Sequence, residues 1–268
     1  MEAYSRKEAE REFHNTREKA RRESPEDHVT SYPNRRFYAT TNLSHDYIQN
    51  WLDENCKGKV VLDYCCGTGD VSRQIARTGA EVIGIDISDE SIQTCKDEAA
   101  KAGLGGRSSF FVMDAENTDF SDSHFDVIVC SGVLHHLDLG SAYKELARII
   151  KPGGKILCVE ALAHNPLIQW YRRRTPQLRT EWETEHILSV QDIQRAKHHF
   201  DSVEIKYFHL ASIAAIPFIN TVGFSLVLSA LNRVDDILLR IPLINRQAWQ
   251  AVFTLSAPRK IPSIITSN

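Results

Sequence analysis

The stretch Asp63-Tyr64-Cys65-Cys66-Gly67-Thr68-Gly69-Asp70 joins a short β-branched run to a helical pattern. Gly67 and Gly69 permit positive φ and let a ligand come close to the backbone. A carboxylate, Asp86, closes the next β-branched run nineteen residues after Gly67, the place from which an acid accepts the hydroxyls of a bound ribose. These spacings predict a nucleoside-containing ligand. A dinucleotide loop reads G-x-G-x-x-G and offers a helix N-terminus to a pyrophosphate, but the third position here is Ser72. Asp63 before the loop and Asp70 at its end would repel a pyrophosphate, whereas S-adenosylmethionine (SAM) carries an ammonium, a sulfonium and no phosphate. Asp70 could equally serve only to cap the following helix. Asp63, at a buried strand end, needs a partner.

The elements that must position these residues alternate. VVLDY, EVIGID, SSFFVMD, FDVIVCSG and GKILCVE read as strands, with helices starting near Asp70, Ser88 and Ser141 between them. Such alternation requires right-handed crossovers and a parallel sheet covered on both faces, with ligands bound beyond the carboxyl ends of the strands. FDSVEIKYFHL and AWQAVFTLSAPRK read as the sixth and seventh strands, with residues 211–246 inserted between them. The expected fold is therefore α/β, a Rossmann-like seven-stranded sheet with a helical flank and an apolar insertion between the last two strands. Three regions follow: an N-terminal helical flank (1–55), a SAM-binding core (56–162), and a substrate-lid region with the last two strands and the insertion (163–268). Residues 1–26 are mostly charged and read as an exposed, partly frayed helix. Ser44 is the expected cap of the helix that ends the flank.

From Val60 to Glu160 the chain resembles the class I SAM-dependent methyltransferases, in particular those related to the quinone-biosynthesis C-methyltransferases. The match rests on VLDYCCGTGD, the acid at Asp86, VMDAEN after the third strand, FDVIVCSGVLHHL and LARIIKPGGKILCVE. The resemblance implies a last strand that is antiparallel. It places Asp63 on the methionine ammonium directly or through water, Gly67 and Gly69 under the amino-acid portion, and Asp86 at the ribose, with Cys65 and Ile87 also among the cofactor-binding residues. Asp114 and Ala115 would meet the adenine, and Ser131 would line the reaction cleft. An upstream aromatic, Phe37 or Tyr38, would close over the cofactor, or else belongs to the core.

Methyl transfer from a sulfonium asks mainly for in-line placement, and a base only where the acceptor loses a proton. His135 and His136 follow the fourth strand, and His136 and His164 are the catalytic candidates. The stretch WYRRRTPQLRTEWETEHIL reads as a solvated, ion-paired helix, since three glutamates oppose its four arginines. An inward arginine would fork onto a substrate carboxylate or phosphate. Tyr171, Arg172, Arg179 and His186 are the substrate-binding candidates.

ASIAAIPFINTVGFSLVLSAL is about long enough to cross a bilayer, but Pro217, Asn220 and Gly223 interrupt it. It is expected to cover the cleft as a greasy acceptor pocket, to form a dimer face, or to touch a membrane surface. The chain has 268 residues, 42% of them hydrophobic, enough for a core. With 32 Lys plus Arg against 35 Asp plus Glu, it has no global basic field for nucleic acid. Six cysteines without zinc-type spacing read as buried thiols and not as metal ligands, and the charged N-terminus has no apolar signal region, so a cytoplasmic location is expected. The expected activity is SAM-dependent methylation of a hydroxyl or carboxylate oxygen of a metabolite or modified peptide. The alternatives are C- or N-methylation of a quinone- or sterol-like acceptor, or a non-catalytic SAM-binding subunit.

Overall fold

The computed structural model describes residues 3–23 and 35–259. The rest of the flank, residues 24–34, and the end of the last region, 260–268, lie outside the described residues. The seven strands are β1 (Val60–Tyr64), β2 (Glu81–Asp86), β3 (Ser108–Val112), β4 (Phe125–Ser131), β5 (Ile150–Ala161), β6 (Phe200–Phe208) and β7 (Gln250–Pro258). They form one sheet in the order β3-β2-β1-β4-β5-β7-β6, with β7 antiparallel to both of its neighbours and all other pairings parallel.

The strand order reverses between β1 and β4, so their C-terminal ends open a crevice where the loops splay apart. β1 is apolar on both faces except at Asp63, as a strand covered twice must be. One face packs on Trp51 and Leu52 of the helix Asn42–Asn55 and on Ile75 and Ala76 of Asp70–Arg77. The other packs on Ala142, Tyr143, Leu146 and Ile149 of Leu139–Ile149. Several helices that follow strands start on a side-chain cap: Ser88 takes the Ser91 N–H, Asp138 that of Ser141, and Asn165 those of Leu167 and Ile168. Ser44 is no cap. Thr41 holds that position, and the Ser44 hydroxyl instead donates to the Thr41 carbonyl and meets His209 Nε2 at 2.8 Å.

Two expectations are corrected. The leader is a helix, α1 (Ala3–Glu23), but it is no solvated arm: Arg6, Glu10 and Glu18 are buried where it lies across the crevice. The insertion does not cover the crevice, whose walls contain none of residues 211–246. Its turn Ser212–Phe218 and its helix Phe224–Leu238 pack on each other and on the flank, where Asn232 reaches Asn42. Asp235 fixes the join by accepting the Leu210, Ala211 and Ser212 N–H groups. Among the described residues no helix is long and apolar enough to cross a membrane.

Candidate active site

A cleft of about 1270 Å³ lies beyond β1, β2 and β4, roofed by α1. At its floor Gly67 and Gly132 follow β1 and β4 with φ of +52° and +67°, and a Cβ on either would meet nothing within 4 Å. Bare backbone thus faces open space on both sides of the switch point, a cradle that a flat ligand can enter. Asp86 forms the next wall. Its two oxygens accept the Gly67 N–H at 2.9 Å and the Ser88 N–H at 2.8 Å, which orients the carboxylate and ties the loop to β2. Ile87 and Cys65 adjoin it. Beyond β3, Asp114 accepts the Glu116 N–H, and the buried Tyr64 hydroxyl donates to the Ala115 carbonyl, so both residues are held at the rim. Ser131 and Tyr38 also line the cleft, as does Phe37. The residues therefore suit a nucleoside ligand: the Asp86 carboxylate beside the bare backbone at Gly67, and Asp114 at the far rim, where Lys7 of α1 pairs with it at 2.7 Å.

Asp63 and Gly69 do not line the cleft. Asp63 is buried behind the loop and accepts the Ser72 hydroxyl, which explains a serine where a third glycine was looked for. Burial, with Asp86 and Asp70 adding to it against the Ser72 bonds, pushes its pKa up to about 7. The case against a pyrophosphate then rests less on Asp63 than on Asp70, Asp86 and Asp114. Because a carboxyl with a raised folded pKa stabilises the fold below its unfolded value and loses that stabilisation as pH rises, the loss should run from pH 3.8 to about 7. We expect Asp63→Asn to flatten this slope, by at most about 4 kcal/mol. Urea midpoints measured against pH check it, and an unchanged slope would assign the proton elsewhere.

At the other end of the cleft stands a charged network absent from the expected site. The Glu160 carboxylate, fully buried at the end of β5, accepts the Val133 and Leu134 N–H groups with one oxygen and meets His135 Nδ1 at 2.7 Å with the other. His135 Nε2 lies 3.7 Å from Glu183, which Arg172 and Arg179 each approach to 3.5 Å. Burial opposes charge on His135, but the two carboxylates outweigh it and raise its pKa. His135, not His136, is thus the histidine held by the sheet. The sequence signals were the pair His135 and His136 after the fourth strand and an acid closing an apolar strand, a group that must have a partner.

The remaining candidates divide. Tyr171, Arg172 and Arg179 line the cleft; the arginine-rich stretch is buried on this side and solvated at Arg173 and Arg174. His164 is exposed and outside the cleft walls, so its placement does not support an acceptor-side role. His186 is exposed as well, stacked on Trp182 with ring centroids 3.5 Å apart. His136 lines the cleft but its Nδ1 faces Glu10 of α1 at 3.1 Å. Asn165, the residue beside His164, is a buried cap whose amide also donates to the Gln247 carbonyl.

The family profile described as "Methyltransferase domain" matches residues 61–154, the span that builds the floor of the cleft. The chain carries a class I SAM-dependent methyltransferase domain. Ubiquinone/menaquinone biosynthesis C-methyltransferase UbiE of Ectopseudomonas mendocina is 36% identical to the chain over 117 residues, 41% of this chain and 45% of that protein. Sterol 24-C-methyltransferase of Eremothecium gossypii is 33% identical over 129 residues, 47% of this chain and 35% of that protein. The chain thus spans less than half the length of these curated relatives. Among solved structures, geranyl diphosphate C-methyltransferase from Streptomyces coelicolor A3(2), in complex with geranyl diphosphate and S-adenosyl-L-homocysteine, has a TM-score of 0.54 at 15% identity, covering 81% of each chain. At that identity the likeness is one of fold. The methyltransferase domain accounts for the cradle and its acids. The roof lies outside it, as do Glu160, Glu183, Arg172 and Arg179, whereas His135 itself lies within.

Proposed function

We propose that the protein transfers the methyl group of SAM to a carbon of a lipophilic acceptor. The observation that carries this is the acceptor end of the cleft, an aromatic box with one oriented base. Phe37 packs on Tyr171 at 4.7 Å and on Trp249 at 5.8 Å between ring centroids, Ile168 and Ala161 add apolar wall, and the His135–Glu160 pair opens between them. The two relatives alike in sequence, both named as C-methyltransferases, support carbon over oxygen. Methylation of a hydroxyl or carboxylate oxygen is the competing reading.

The bound cofactor supplies a sulfonium, an activated leaving group that needs no further activation. Asp86 would hold the ribose hydroxyls, Asp114 the adenine edge, and the backbone at Gly67 and Gly132 the methionyl part. The aromatic box excludes water and orients the acceptor. His135 Nε2 takes the acceptor's proton, from a ring hydroxyl that activates the neighbouring carbon or from the methylated carbon itself, while Glu160 keeps the imidazole turned to the cleft. Gln250 Oε1, buried in the cleft wall without a partner among the described residues, accepts a hydroxyl of the acceptor.

A membrane surface supports the same reading. On the helix Phe224–Leu238 the buried face carries Leu228, Asn232 and Asp235, whereas Leu226, Arg233 and Ile237 point outward together. Val222 and Leu243 are exposed as well, with Arg240, Arg246 and Asp236 also at the surface, and an anionic lipid surface is the partner proposed for this apolar helix face.

Methyl-labelled SAM offered with prenylated hydroquinones and simple phenols should give a product whose label sits on carbon by NMR. A methyl ether or ester would establish the oxygen reading instead, and no SAM binding by calorimetry would remove both. Vesicles containing phosphatidylserine should carry the protein upward in flotation, and Leu226→Glu with Ile237→Glu should abolish this. A change from dimer to monomer in the same variant, without vesicle binding in the parent, would assign the patch to a second copy.

A further inference from the structure

The roof helix brings two side chains, Glu10 and His14, onto one face one turn apart, opposite His136 on the turn Leu134–His136 that follows β4. Glu10 Oε2 lies 3.1 Å from His136 Nδ1 and 3.5 Å from His14 Nε2, and the three donor atoms fall within 4.8 Å of one another. Bonds of 2.0–2.1 Å from a tetrahedral ion put neighbouring ligands about 3.3 Å apart. Two of the three edges therefore already have the length that such an ion imposes. Two imidazoles and one carboxylate is also a donor set that suits zinc. We propose that Glu10, His14 and His136 bind a divalent transition ion, Zn²⁺ in the first instance, which fastens α1 over the cleft.

The surroundings agree with a single-oxygen carboxylate ligand. The Thr180 hydroxyl donates to Glu10 Oε1, so that oxygen is taken and Oε2 is the one turned to the histidines. The turn that carries His136 is fixed from behind, since Arg6 Nη1 donates to the His136 carbonyl at 2.8 Å. The cations near the site are already spoken for: Arg6 pairs with Glu116, and Lys7 with Asp114 and Glu116. Ligation at His14 Nε2 requires the ring proton on Nδ1, where Arg17 now donates at 3.2 Å. Arg17 is exposed and can turn into solvent. His135 belongs to a second set, with His136 and Glu183, which shares His136 but has no residue on α1 and so could not fasten the roof. All three ligands line the cleft, so the fourth position of the ion faces the cleft and takes water. No spacing rule on the sequence could find this set, because two ligands sit on α1 and the third more than a hundred residues later.

The site is independent of the methyl-transfer reading, and its test uses the metal alone. The full chain, stripped by chelator and titrated with Zn²⁺ by calorimetry, should bind one equivalent with a dissociation constant in the micromolar range or tighter. His14→Ala, on a largely helical and partly exposed position, should weaken binding at least about tenfold, as should Glu10→Gln, while His198→Ala should not. Hydrogen exchange over residues 3–23 should slow on Zn²⁺ addition in the parent and not in His14→Ala. Circular dichroism confirms that each variant is folded. No binding by the parent, parental affinity in both ligand variants, or binding without slower exchange of α1 would each overturn the proposal.

Discussion

Replacing His135 by alanine should lower methyl transfer by about 10²–10⁴-fold and leave SAM affinity unchanged, with added imidazole restoring part of the rate. The expectation follows from the position of the ring. Its Nδ1 is fixed by a buried carboxylate at 2.7 Å, and its Nε2 lies in the cleft wall, 3.7 Å from Glu183. Glu160 acts through His135 as a positioning residue, so Glu160→Gln should reduce kcat while KM for SAM holds. Its amide oxygen can still accept the Val133 and Leu134 N–H groups at 2.8 and 2.7 Å, so the loop keeps its shape. Glu160→Ala would strip those groups of their acceptor and report only misfolding. His164→Ala is the control, exposed and outside the cleft, and should retain the parent rate. A parental rate in His135→Ala would remove the base from the mechanism.

Asp86→Ala carries the second large effect, on binding. Losing two charge-assisted bonds to the ribose hydroxyls should weaken SAM and S-adenosylhomocysteine by at least about tenfold and up to about 10³-fold. The same carboxylate holds the Gly67 and Ser88 N–H groups, so the variant should also lose about 1–3 kcal/mol of stability for each amide left unpaired. The two losses separate in Asp86→Asn, whose single acceptor oxygen serves one amide and has no charge for the ribose. Calorimetry with the cofactor and thermal melting without it measure them apart. Unchanged affinity in Asp86→Ala would place the ribose elsewhere.

The two predictions differ in origin. Asp86 was legible because the strand, the loop and the acid lie within one βαβ unit, where local spacing fixes geometry. The same holds for Gly67, Ile87, Asp114, Ala115 and Ser131, each at or just past the carboxyl end of a recognisable strand. Asp63 shows the limit of that reasoning. Its place at a strand end was readable, but whether it faced ligand or core depended on which way β1 presents it, and Ser72 claims it from the core side. His164 failed for a related reason: the loop after β5 turns it to solvent and buries its neighbour Asn165.

The roof was invisible to the periodicity that found the core. A helix is recognised as buried by an apolar stripe, and the inner face of α1 consists of Arg6, Glu10, His14 and Glu18. Its partners, among them Glu116, His136, Thr180 and Thr94, are contributed by distant loops and helices. A charged face looks solvated until the fold supplies those opposite groups. Of the three expectations for the insertion only cover of the cleft fails, since the fold turns many of its apolar residues outward beside the flank.

By itself, the sequence determined the strands of the sheet, the glycine loop after the first of them and the acid that closes the second, because hydrophobic period and glycine placement act over a few residues. Only the tertiary structure decided which histidine has a carboxylate behind it, which arginines turn inward, and what closes the cleft. Those are pairings between residues far apart in the chain, and their free energy exists only once the backbone has brought them within hydrogen-bonding distance.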